Sequence, residues 1–219
     1  MDWSSPIDLY CERLAPDLLA EPVNAISNLA FLAAAWSLRS RLDARHGGDL
    51  LWLQCLLALV GCGSLIFHTV ATRWASVLDV AFIAIFVLLY VHRALVRLFG
   101  WPARRAAGAV VGVLLTTAAL AAALRLPALN GSELYLGPWL ALIILAIGCP
   151  HAAAARWLRL AAGLFALSMA FRSLDLRLCA LWPIGTHFAW HLNNALVLWC
   201  AMRALLEPST SAPPSRHAS

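Results

Sequence analysis

The chain has 219 residues, 62% hydrophobic and only 12% charged, with a mean hydropathy of +0.78. Water-soluble domains run at about 45–50% apolar and about 25% charged, so this composition excludes a water-facing globular protein and points to an integral membrane protein. All 16 basic residues are arginine, for a formal net charge of +5; arginines at helix ends account for that excess, and no nucleic-acid partner is implied.

The chain opens with MDWSSPIDLYCER, which is acidic and lacks the basic stretch and apolar core of a cleavable signal peptide. A spanning helix needs roughly 20 mainly apolar residues. Seven stretches meet or approach that need, at about 22–40, 50–70, 76–98, 103–124, 134–149, 153–170 and 184–205. The first and fifth are short and interrupted. Gly and Pro punctuate the joins, as in HGGD at 46–49, GWP at 100–102, CPH at 149–151 and LWPIG at 181–185. The expected fold is all-α, an integral bundle of seven transmembrane helices. The tail from Glu207, EPSTSAPPSRHAS, is Pro/Ser-rich and reads as disordered.

Orientation follows from the arginines. Eleven fall on one side (39, 41, 45, 93, 97, 104, 105, 156, 159, 203 and 216) and five on the other (13, 73, 125, 172 and 177). The excess marks the cytoplasmic face, so the N-terminus is expected outside and the C-terminus in the cytoplasm.

Ionisable residues inside apolar spans are expensive and are functional candidates. The second span ends in 61-GCGSLIFHT-69, where Ser64 and His68 are four apart and share a helix face. The third begins with 74-WASVLDVAF-82, and Asp79 is its acidic residue. The seventh, 184-IGTHFAWHLNNALVLWC-200, places His187 and His191 on one face. With this topology the three elements deliver Ser, Asp and three His to one depth on the outer side. His92 lies at the opposite end of its span, and His46, His151 and His217 fall in connections or the tail.

Three imidazoles leave a tetrahedral Zn²⁺ with one open position for water, and the metal lowers that water's pKa to about 7. A nearby carboxylate exchanges protons with the reacting groups, and a hydroxyl steadies a developing oxyanion. Asp79 and Ser64 fit these two roles by type, although an Asp could equally be a fourth ligand. Other readings stand beside this one. Paired imidazoles could ligate a b-type haem or serve a transport protein, or the His pair could be a packing contact between helices. Asp79 could simply pair with Arg73 or Arg172, and Ser64 could bond back to its own helix. Arg172 could pair with Asp175 or lean toward Asp79.

The blocks 8-DLYCER-13, 20-AEPVNAISN-28, 63-GSLIFHTVAT-72 with Asp79, and 185-GTHFAWHLNNA-195 together resemble the alkaline ceramidases, seven-span hydrolases of a superfamily that includes the adiponectin-receptor-like proteins. The resemblance covers nearly the whole chain. It implies one membrane-hydrolase domain over residues 1–206, with the tail at 207–219 outside it. It implies zinc on His68, His187 and His191, with Ser64 and Asp79 completing the site, and hydrolysis of the ceramide amide to sphingoid base and fatty acid. It also implies calcium on Asp8, Glu12 and Glu21, although Asp8 stands one residue further from Glu12 than in that pattern. Cys11 and Cys179 both fall on the outer side, and the resemblance supports their pairing as a disulfide. The expected partners are a lipid amide arriving from the bilayer and the membrane itself. A bacterial inner membrane suits the compact length, and an endomembrane with a luminal outer face satisfies the same topology. A receptor-like relative with little turnover would carry the same metal residues.

Overall fold

The structure, a computed structural model, describes residues 2–42 and 47–207. His46, Arg45, Arg216, His217 and all but the first residue of the expected disordered tail lie outside the described residues. The described chain is all-α, with helices α1 (Pro22–Ser27), α2 (Leu29–Leu38), α3 (Gly48–Val70), α4 (Arg73–Phe99), α5 (Ala103–Ala123), α6 (Leu136–Gly148), α7 (Ala152–Leu178) and α8 (His187–Leu206). Four of them, α3, α4, α5 and α7, are long and apolar enough to cross a membrane, and the stretch Ser132–Gly148 is a shorter apolar helix.

Helix ends fall where the local chemistry demands. Gly100 ends α4 with φ +65°, a left-handed turn that costs glycine little. Pro102 then starts α5. The lipid-facing character is plainest in α5: 21 residues long and mainly apolar, it buries only Ala106 against the protein. In water that surface would be untenable, whereas a bilayer solvates it.

Two predicted spans differ from the observed helices. The first, expected over 22–40, is broken into α1 and α2 at Asn28. Asn28 turns its side-chain amide back to donate to the Asn24 carbonyl at 2.8 Å, and such local bonds compete with a continuous helix. The sixth, expected to end near 170, continues as α7 to Leu178. Its polar extension finds partners: Ser173 Oγ donates to the Leu129 carbonyl at 3.2 Å and accepts from Ser132 Oγ at 2.9 Å.

The apolar core runs through the bundle on Phe31, Leu53, Leu57, Phe86, Leu158 and Met202, all nearly inaccessible. Where α2 meets α3, Gly61 makes the close approach possible, since a Cβ there would lie 2.8 Å from Phe31 Cβ. Above the core, the segment before α1 crosses the α3–α4 turn. Pro6 bridges Thr72, Ile7 N–H donates to Ala71 at 2.7 Å, and Leu19 N–H donates to Thr69 at 3.0 Å. Cys11 and Cys179 join this segment to the end of α7, with sulfurs at disulfide distance (1.95 Å) and Cα atoms 5.2 Å apart.

Candidate metal centre

His68 lies in the last turn of α3, and His187 and His191 lie in the first turns of α8. Their exposures are 0%, 1% and 2%. One ring nitrogen from each lies within 4.8 Å of the other two, the one such cluster of His, Cys, Asp or Glu among the described residues. His68 Nε2 and His187 Nδ1 are buried without any hydrogen-bond partner. A buried nitrogen left unpaired costs on the order of 1–3 kcal/mol, so two of them beside a third imidazole form a group that could hold a metal ion.

The neighbours set the tautomers. Glu21 Oε2 accepts from His68 Nδ1 at 2.5 Å, which leaves the His68 Nε2 lone pair free to ligate. Ser27 Oγ donates its proton to the Asn24 carbonyl at 2.7 Å, so at its 2.8 Å contact with His191 Nδ1 it accepts. His191 Nε2 is thereby left unprotonated as well. Each of these two histidines has the kind of outer partner that metal-binding histidines normally carry. Tyr10 stacks on His187 with ring centres 3.6 Å apart.

The α8 terminus is held by Asp175 of α7, which is fully buried. Its Oδ1 accepts the Thr186 and His187 backbone N–H groups at 2.6 and 2.9 Å, and its Oδ2 accepts the Cys11 N–H at 3.0 Å. The carboxylate thus satisfies orphan donors at a helix start and complements its dipole. Gly185, at φ +68°, is required here because a Cβ would collide with Asp175 Oδ1 and Cys11 Cβ.

Ser64 and Asp79 line the same small cavity as His187 and His191. The Ser64 hydroxyl donates to the Asp79 carboxylate, whose Oδ1 is buried with no partner. The cavity's apolar walls include Phe31, Val60, Val87 and Val197. A second groove between α4, α5 and α6 shares Ile83, Val87 and Tyr135 with it.

Of the two partners open to Arg172 in the sequence, the structure gives it neither as a direct ion pair. Asp175 is committed to backbone donors, and Arg172 Nη1 donates to the Tyr10 hydroxyl at 2.8 Å. Its guanidinium carbon lies 5.4–5.5 Å from the ring centres of Tyr10, Tyr135 and Trp190, an aromatic cage that stabilises a cation. It lines the same cavity as Asp79. Arg73 instead donates to Ser5.

The three carboxylates expected to bind calcium are dispersed into other tasks. Glu12 accepts the Val23 and Asn24 backbone N–H groups at 2.6 and 2.8 Å, while Asp8 is exposed. Glu21 is shared between Arg13, His68 and Asn24. Burial pushes the Glu21 carboxyl up, but the bonds from His68, Arg13 and Asn24 outweigh it and hold the group below the ordinary glutamate range. Glu21 is therefore an anion facing His68.

Sequence reasoning missed the roles of Ser27, Asn24, Tyr10 and Asp175. One trace of them was present: Asn24, Ser27 and Asn28 sit at i, i+3 and i+4, a polar row on an otherwise apolar stretch.

A family model described as Ceramidase matches residues 2–206. No curated protein matches the chain.

Proposed function

The chain belongs to the ceramidase family, and from that premise we propose that it is a zinc-dependent amidase of ceramide-like lipids, working within a seven-span bundle whose N-terminus faces outward. The observation that carries this reading is the buried cluster of His68, His187 and His191, two of whose members are held by Glu21 and Ser27 with a lone pair free to ligate. Neutral imidazole donors suit zinc. When bound, the ion supplies Lewis acidity and a water acidified to about neutral pKa.

The chain's own residues supply the rest. Asp79, which lines the cavity and whose Oδ1 has no partner, takes a proton from the attacking water and returns it to the departing amine. Ser64 keeps Asp79 aimed while at rest and turns its hydroxyl to the carbonyl oxygen as negative charge gathers there. The breaking C–N bond releases a fatty acid and a sphingoid base. The apolar cavity walls receive one hydrocarbon tail, and the adjoining groove between α4, α5 and α6 gives the second tail a path from the bilayer. Residues 1–206 form the catalytic domain in this reading, and the enzyme acts in a bacterial inner membrane.

Haem ligation fits less well. Two axial imidazoles must stand on opposite faces of a flat macrocycle, whereas these three rings have centres only 4.5–5.2 Å apart.

Purified protein in mixed micelles is expected to release fatty acid from a long-chain ceramide, as read by mass spectrometry. Activity should vanish on chelation and return with zinc. Failure to cleave ceramide while cleaving an N-acyl amino lipid would move the substrate assignment. Failure on all lipid amides with zinc bound would favour a receptor-like relative.

A further inference from the structure

The N-terminal carboxylates are not arranged to hold a divalent cation, and what occupies them is informative. Calcium takes six to eight oxygen ligands. Both oxygens of Glu12 are engaged by backbone N–H groups at the start of α1. Glu21 Oε1 accepts from Arg13 Nε at 2.6 Å, and Oε2 accepts from His68 Nδ1 at 2.5 Å and Asn24 Nδ2 at 3.1 Å. The Arg13 and Glu21 side chains are 3% and 1% exposed. The positive charge beside Glu21 thus comes from a guanidinium tethered to the chain. Arg13 is itself fixed, since its Nη1 donates to the Ala15 and Asp17 carbonyls at 3.1 and 3.4 Å. Its neighbour Glu12 caps α1, and Cys11 is tied to α7.

We propose that Arg13 is a positioning residue for the histidine centre, a built-in cation that holds Glu21 against His68 and makes metal retention independent of calcium. This rests on the reading of His68, His187 and His191 as a zinc site. The reasoning is electrostatic and geometric. A carboxylate that bonds a metal-ligating imidazole orients the ring and raises its basicity. A buried carboxylate with one oxygen unpartnered is free to turn or to draw in water, and in either case its hold on Nδ1 weakens. Arg13 removes that option from the opposite side of the same carboxylate.

The test uses the full chain in detergent and measures zinc affinity by chelator competition on the monodisperse fraction, with calcium binding followed by titration calorimetry. Arg13→Gln and Glu21→Gln are each expected to weaken zinc binding about 10–100-fold, the range typical for outer partners of metal ligands. The double variant should be no worse than either single one, because both act through one contact. Arg13→Lys keeps the charge and should recover part of the loss. Wild-type protein should bind no calcium in the N-terminal segment, and millimolar calcium should leave its zinc affinity unchanged. A folded Arg13→Gln protein with wild-type zinc affinity would overturn the proposal even if its melting temperature fell, since that pattern belongs to a structural contact. Tenfold tighter zinc binding on adding calcium to wild type would overturn it too. Wild-type protein that holds no zinc at all would defeat the metal reading and this one together.

Discussion

Replacing His187 and His191 together by alanine is expected to give a folded protein that holds no metal and hydrolyses lipid amides at least about 10⁴-fold more slowly, since the water loses roughly nine units of pKa lowering. Folding should survive because of what these side chains do and do not contact. His187 Nδ1 has no partner in the protein, so its removal strands nothing. His191 gives up its hydrogen bond with Ser27 Oγ, and Ser27 keeps its bond to Asn24. Alanine is the best helix former, and the first turn of α8 stays capped by Asp175 through backbone N–H groups that the substitutions do not touch. The main structural loss is the stacking of Tyr10 on His187, worth about 0.5–1.5 kcal/mol. Circular dichroism and gel filtration should therefore resemble wild type while metal content and activity fall to background. Retained hydrolysis in this variant would place the chemistry elsewhere.

Asp79→Asn is expected to separate metal binding from proton transfer. The substitution is nearly isosteric, and an amide still accepts from Ser64 through its oxygen. It leaves the three histidines and their partners Glu21 and Ser27 in place. Metal content should be unchanged, KM nearly so, and kcat should drop about 10²–10⁴-fold, the usual contribution of a positioned acid–base group. A drop in KM-independent turnover with intact metal is the signature of an interaction made at the chemical step. The alternative noted from the sequence, Asp79 as a fourth ligand, predicts a different pattern in which Asp79→Asn loses metal. Full turnover with metal bound would remove Asp79 from the proton path.

Much of this site was legible in the sequence because it obeys local rules. His187 and His191, like Ser64 and His68, stand four apart on one helical face, and the expected topology alone carries both faces and Asp79 to one depth. The structure places His68, His187 and His191 within ligand reach of each other and opens a common cavity to His187, His191, Ser64 and Asp79. What was not legible depends on contacts between distant segments. Glu21 meets His68 across 47 positions and Ser27 meets His191 across 164, and nothing in local spacing announces either. Asp175 stood near Arg172 in sequence, so an i, i+3 pair was a natural expectation. Tertiary context spent it instead on the three N–H groups of Cys11, Thr186 and His187, which are costlier to leave unsatisfied. The same holds for the first span: hydropathy alone reads a continuous helix, while the polar row of Asn24, Ser27 and Asn28 breaks it to serve the centre.

The account stands most directly on the metal. Elemental mass spectrometry of the wild-type protein, purified in mild detergent without added zinc, should find about one zinc per chain, with no haem absorbance band. Protein that is folded and monodisperse yet carries no zinc, and takes up none when it is supplied, would contradict the reading of His68, His187 and His191 as a catalytic metal centre.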